Sequence, residues 1–311
     1  KVYALNRYFS KLSEMRLKEL SSITALIEKE IQITESDLDR FSRLRKGDED
    51  FIGVVDQLTE RKERMLSSKL LATKIHQIAK DLAPSENTIG LMVVAADILE
   101  HGFGLGEIHL RVNADQIRNA MRPVDGKMVS VSDGENSPRL LIDRLASRIE
   151  SESSWEINFL NVERESAVAR RQLMLARQFI KYVDEDQKIK LLIAECEKPL
   201  TIMSALYLSH KFGVSDNLDI SPLFETSFGL EHGNKLIEQL LDIPTFLSYL
   251  KKRRRLCIQM GFSDAGRFMG QLAANMAIER LQLKILKSLQ RKSDSNIDLQ
   301  IFNTHGESLG R

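Results

Sequence analysis

The sequence predicts an α/β fold, mostly helical, with a parallel sheet in its later two-thirds. Three observations carry that expectation. From about residue 107 onward, apolar runs of five or six residues alternate with helical patterns at least five times, the signature of strand-helix units. The stretch RLCIQMGFSDAGRFMG (255–270) passes from an apolar run through a Gly, Ser and Asp turn into a helix, as a buried parallel strand does when it meets its crossover helix. Residues 1–81, by contrast, keep helical spacing almost throughout.

Taken in order, Tyr3, Leu5, Tyr8, Phe9, Leu12, Met15, Leu17 and Leu20 mark the apolar side of the first helices, and Val54, Leu58, Met65, Leu66, Leu70 and Leu71 that of a later one. The run KGDED (46–50) reads as a loop, and Glu60 with Arg64, four apart, as a solvated helix pair. Ala83, Pro84 and Ser85 break the pattern, and Ser85 caps a helix to about Glu100. Gly102, Gly104 and Gly106 follow that helix and precede a strand at 107–112, the reverse of the order a dinucleotide fingerprint needs. Asp125-Gly126 and Asp133-Gly134 mark turns, 140–149 a short helix and 155–160 an extended segment. A helix over 166–183 turns Leu173, Leu175, Ala176, Phe179 and Ile180 inward. Strands follow at 191–196, 217–224, 256–262 and 298–302. Helices run from Pro199 to about 211 and over 230–241, 244–251 and 270–289. This alternation fits either a (β/α)8-type barrel or a doubly wound sheet.

Composition narrows the function. With 45 basic and 44 acidic residues in 311, nothing draws the chain to nucleic acid or to a membrane surface. The longest apolar run, 89–99, is too short to span a bilayer. Cys196 and Cys257 sit in apolar runs and read as buried free thiols of a cytoplasmic protein. The chain begins without Met and stops at Arg311 inside a motif, which reads as a piece of a longer protein.

Four segments in a definite order carry a family likeness: HLRVN (109–113), PLFET (222–226), GFSDAGRF (261–268) and FNTHGESLGR (302–311). They resemble the L-D-I-R-Q, P-L-F-E-T, G-Y-S-D-S-x-K-D and F-H-G-R-G-G-x-x-G-R segments of phosphoenolpyruvate carboxylase. The likeness runs over about 89–122 and 170–311. The family's fold decides for a partial TIM-like barrel with many additional helices, giving a helical packing region at 1–84 and a barrel portion at 85–311. The resemblance implies Mg²⁺ or Mn²⁺ on Glu225 and Asp264, two carboxylates of the kind a hard cation takes from a protein; polar strand ends capping the next helices are the alternative. Arg111 matches the arginine that holds substrate phosphate, where a guanidinium offers a planar, permanently charged fork; an ion pair within the barrel is its alternative. Arg267, His305 and Arg311 fall at catalytic loop positions. The implied substrates are phosphoenolpyruvate and bicarbonate, and the implied assembly is a homo-oligomer.

Departures from the family pattern stand beside the matches. Arg267 replaces a lysine, Phe268 an aspartate, Asn303 a histidine, His305 an arginine and Glu307 a glycine. His109 replaces an acidic residue. The family's T-A-H-P-T segment has no counterpart in the chain. A neutral ring in place of a guanidinium loses a fixed cation, and Glu307 sets a negative charge where a phosphate should lie. Two functions therefore follow: a magnesium-dependent lyase that carboxylates phosphoenolpyruvate to oxaloacetate, or a catalytically weak relative that serves as a ligand-binding or assembly module.

Overall fold

A computed structural model describes residues 1–43, 64–122, 137–292 and 297–304. The expected features at 46–50, Glu60, 125–126 and 133–134 lie outside them. The chain divides into two compact units.

The first unit comprises Lys1–Ile108 with Gln178–Lys188. Its helices are α1 (Val2–Glu14), α2 (Ser21–Arg43), α3 (Ser68–Asp81) and α4 (Glu86–His101), with a 3-10 turn at Lys18–Leu20. Leu5, Tyr8, Leu12, Ile27, Ile75 and Ile98 are among the residues of one buried cluster, as the helical periodicity requires. Ser67 accepts the Leu70 amide and Ser85 the Thr88 amide, closing the first turns of α3 and α4. The glycine loop serves packing: Gly102 sits at φ +59°, and a methyl there would meet the Asp184 carboxylate at 2.6 Å. That carboxylate accepts from the Phe103 amide and the Ser68 hydroxyl, so the loop holds no nucleotide fingerprint.

The second unit comprises His109–Arg177 with Ile189–Arg311. The chain passes through β1 (Ile108–Asn113), α5 (Ala114–Ala120), α6 (Pro138–Ser151), α7 (Phe159–Arg164), α8 (Val168–Tyr182) and β2 (Ile189–Ala194). Then come α9 (Pro199–Lys211), β3 (Leu218–Phe224), α10 (Ser227–Leu241), α11 (Pro244–Arg253), β4 (Arg255–Gly261), α12 (Phe262–Met269), α13 (Gln271–Lys292) and β5 (Asp298–Thr304). Proline opens α6, α9 and α11, where its missing N–H costs nothing and its φ is already helical. Three expectations need correction. Residues 155–160 form no strand, because Asn158 and Asn161 close a capping box that starts α7. The turn expected at 262–266 is the two-turn helix α12. Leu175 is 49% exposed, since it falls between the buried positions Leu173 and Ala176 and turns away from them.

Among the described residues, the strands form one five-stranded sheet in the order β1-β2-β3-β4-β5, the chain order itself. Pairing is parallel from β2 to β5, with Lys190 beside Asp219 and Cys257 beside Gln300. Each strand alternates. Ile220, Phe224, Leu256, Ile258 and Met260 are buried on one face, and Phe224 packs on α10, where a methyl on Gly233 would meet its ring at 2.8 Å. The other face is polar. Lys190, fully buried, donates to Gln300 Oε1 at 3.0 Å, lies 4.8 Å from the Phe302 ring centre and stands 3.7 Å from Asp219 Oδ2. Cys257 Sγ donates to the same Gln300 oxygen at 3.3 Å.

The sheet is bent around this face. Flat strands stand about 4.8 Å apart, which would put β1 about 19 Å from β5. The rings of His109 on β1 and Phe302 on β5 nevertheless meet edge to face, 5.7 Å between centres. The sheet therefore curls around its polar face, and its apolar face receives helices.

Candidate functional site

The strand ends on the curled sheet set the site. β3 ends at Phe224 because the next residues turn to start a helix: Thr226 accepts the Gly229 amide at 2.9 Å as the N-cap of α10. Glu225 is left between strand and cap. On the neighbouring strand, β4 ends at Gly261 and passes directly into α12, placing Asp264 in the first helical turn, where the helix dipole favours a negative charge. Glu225 and Asp264 are thereby brought together and share a side-chain hydrogen bond. Burial holds the Glu225 carboxyl above its usual range, with the Asp264 charge, that hydrogen bond and the Glu195 charge pushing the same way.

The other candidates divide. Arg267 pairs with Asp264 across one helical turn, Nη1 to Oδ1 at 3.3 Å, and its side chain is 73% exposed. Such a pair is screened and weak. Arg111 lies on β1, at the far end of the strand order from β5, with an exposed side chain; its carbonyl accepts from Gln172 at 3.2 Å. It is not in the Glu225–Asp264 pair. His305, Glu307 and Arg311 lie outside the described residues. Among the described residues, no group of three or more His, Cys, Asp or Glu is arranged around a common metal position.

One feature of the site, and one buried charge at the opposite end of β3, were missed in the sequence. Glu195 follows β2, is held at φ +55°, and adds its charge to Glu225. A polar residue at a strand's carboxyl end was the available signal, hidden because the apolar run reads on to Cys196. Deeper in the sheet, Asp219 accepts from Arg253 Nε at 2.7 Å and from Arg255 Nη2 at 2.6 Å. Burial opposes its charge, but the two guanidiniums outweigh it and hold the carboxyl below the usual range. A charge inside an apolar run has no periodic signature.

A parallel sheet whose carboxyl ends gather acidic side chains defines an α/β protein of the kind that keeps its chemistry on that rim. The sequence profile of the phosphoenolpyruvate carboxylase family matches residues 42–311, and the chain belongs to that family. Among curated relatives, phosphoenolpyruvate carboxylase of Corynebacterium efficiens is 29% identical over 119 residues, covering 35% of this chain and 13% of the relative. The enzyme of Marinomonas sp. is 30% identical over 119 residues, 38% of this chain and 13% of the relative. The matched stretch thus spans a small part of these relatives' length.

Proposed function

We propose that the chain forms part of a divalent-metal-dependent carboxylase acting on phosphoenolpyruvate and bicarbonate. The observation that carries this reading is the Glu225–Asp264 pair at adjacent parallel strand ends, in the two segments that match the family's motifs. We further propose that the curled sheet is an arc of a (β/α)8-type barrel within residues 85–311. Strand order without reversal and rings meeting from β1 to β5 support it, since a doubly wound sheet reverses its order at a switch point.

The donor set fits Mg²⁺ or Mn²⁺: two adjacent carboxylates, one strained by burial and by its neighbour's charge, suit a hard cation that takes one or two from the protein. Glu225 and Asp264 would hold it. When bound, such an ion neutralises the charge that develops on enolate and phosphate oxygens. Arg111 binds the substrate phosphate through its planar fork. Arg267, weakly paired with Asp264, supplies positive charge for the transferring phosphoryl group, and His305 and Arg311 fall at the family's other catalytic loop positions, outside the described residues. A bicarbonate oxygen attacks phosphorus as the enol P–O bond breaks, giving carboxyphosphate and the enolate of pyruvate. Carboxyphosphate then loses phosphate to yield CO₂, and the enolate carbon attacks it to form oxaloacetate. The residues act by positioning and by balancing charge. Cys196 and Cys257, both buried as thiols, fit a reducing cytoplasm.

One observation favours the second reading, a catalytically weak module used in assembly, with copies of the chain as its partners. Phe268, which replaces an acidic residue of the family pattern, is 75% exposed at the end of α12, and Leu272 and Met276, four apart on the following helix α13, are exposed as well. Bicarbonate-dependent phosphate release and oxaloacetate formation, assayed on the intact protein with Mg²⁺, separate the two. Absence of both products at saturating substrate, with Mg²⁺ bound, decides for the module.

A further inference from the structure

The approach of Glu225 to Asp264 depends on a residue that carries no functional group. Continuing the β3–β4 register, Leu223 beside Gln259 and Phe224 beside Met260, places Glu225 beside Gly261. Gly261 is buried and its φ of −89° is open to any residue, so no backbone requirement selects glycine there. The requirement is steric. A methyl on Gly261 would stand 2.5 Å from Glu225 Cβ, 3.2 Å from its Oε2 and 3.3 Å from its Cα. Strands in regular pairing are about 4.8 Å apart, so these two ends are squeezed together. The nearest atom, and the one at an impossible distance, is the root of the side chain, Cβ, which cannot swing aside as the Oε2 tip could.

We propose that Gly261 is a positioning residue of the acidic pair: by lacking a side chain it lets the end of β3 close on β4, so that the Glu225 carboxyl reaches Asp264. Any β-carbon at 261 lifts Glu225 away and splits the donor pair. This inference rests on the metal reading proposed above, and a binding measurement keeps the two apart.

The test is titration of Mn²⁺, by calorimetry and by electron paramagnetic resonance, into the intact protein as wild type, Gly261→Ala, Glu225→Gln and the double variant. Misplacing a ligand through its support costs about ten- to a hundredfold in affinity, and that loss is expected for Gly261→Ala. In the double variant, the loss should equal that of Glu225→Gln alone, because Gly261 acts only through Glu225. Unchanged affinity in Gly261→Ala while Glu225→Gln loses binding overturns the inference and leaves the metal reading standing. Losses that add in the double variant overturn it as well. Unchanged affinity in Glu225→Gln overturns the metal reading and the inference with it. Should Gly261→Ala fail to fold, Glu225→Gly on that background removes the clashing Cβ and should restore the thermal transition; no restoration overturns the proposal.

Discussion

Asp219 shows how one side chain is governed by its surroundings. It is 2% exposed and survives as an anion because Arg253 and Arg255 both donate to it and Lys190 stands close behind. Replacing it with Asn leaves these cations facing a neutral amide, and the expected loss is about 3 kcal/mol in chemical denaturation. The pH dependence follows from its direction of shift. The folded pKa lies below the unfolded value of about 3.9. The carboxylate's contribution is therefore complete above that value and disappears as pH falls through the folded pKa. Wild type should lose stability more steeply than Asp219→Asn below about pH 4, as urea midpoints measured from pH 6 down to pH 2 would show. Equal slopes would mean that the two guanidiniums contribute nothing net.

At the scale of elements, the pairing of β3 with β4 is confined to its last residues, Leu223–Gln259 and Phe224–Met260, and a side chain explains why. Tyr249 on α11 places its hydroxyl at the lower part of β3, accepting from the Ile220 amide at 2.9 Å and donating to the Leu218 carbonyl at 2.8 Å. The phenol thus serves backbone groups that a neighbouring strand would otherwise take, and burial pushes its pKa up. Tyr249→Phe leaves an amide and a carbonyl without that partner and should cost about 1–3 kcal/mol. Hydrogen exchange should quicken at Ile220 and remain slow at Leu192 on the neighbouring strand. Thr226→Ala, which removes the cap of α10, should cost about 1 kcal/mol, seen as a lower melting temperature.

At the scale of the molecule, the proposed carboxylation can be tested through the segments that carry the departures from the family pattern. If the late loop has lost its fork, His305→Arg with Glu307→Gly restores a fixed cation and removes a competing anion. Carboxylation should then rise by roughly tenfold, the worth of one charge-assisted hydrogen bond, and by more than the two single changes combined. Steady-state oxaloacetate formation measures it. No gain, with Mg²⁺ still bound, would place the defect elsewhere and favour the assembly module.

What the sequence determined by itself was the order of the strands and most of the helices, and that Glu225 and Asp264 stand just past two strand ends. Helices announce themselves by spacing, caps and opening prolines, and β2 to β5 each fall within two residues of the apolar runs that predict them, because burying a strand demands such a run. Glu225 and Asp264 were legible because they stand just past strand ends within recognisable segments. Only the tertiary structure decided that the sheet curls, that its polar face is held by Lys190, Asp219 and Gln300, and that Gly261 makes room for Glu225. The reason is physical: each depends on contacts between side chains on different strands, from β1 to β5, and distance across a sheet leaves no periodic trace along the chain.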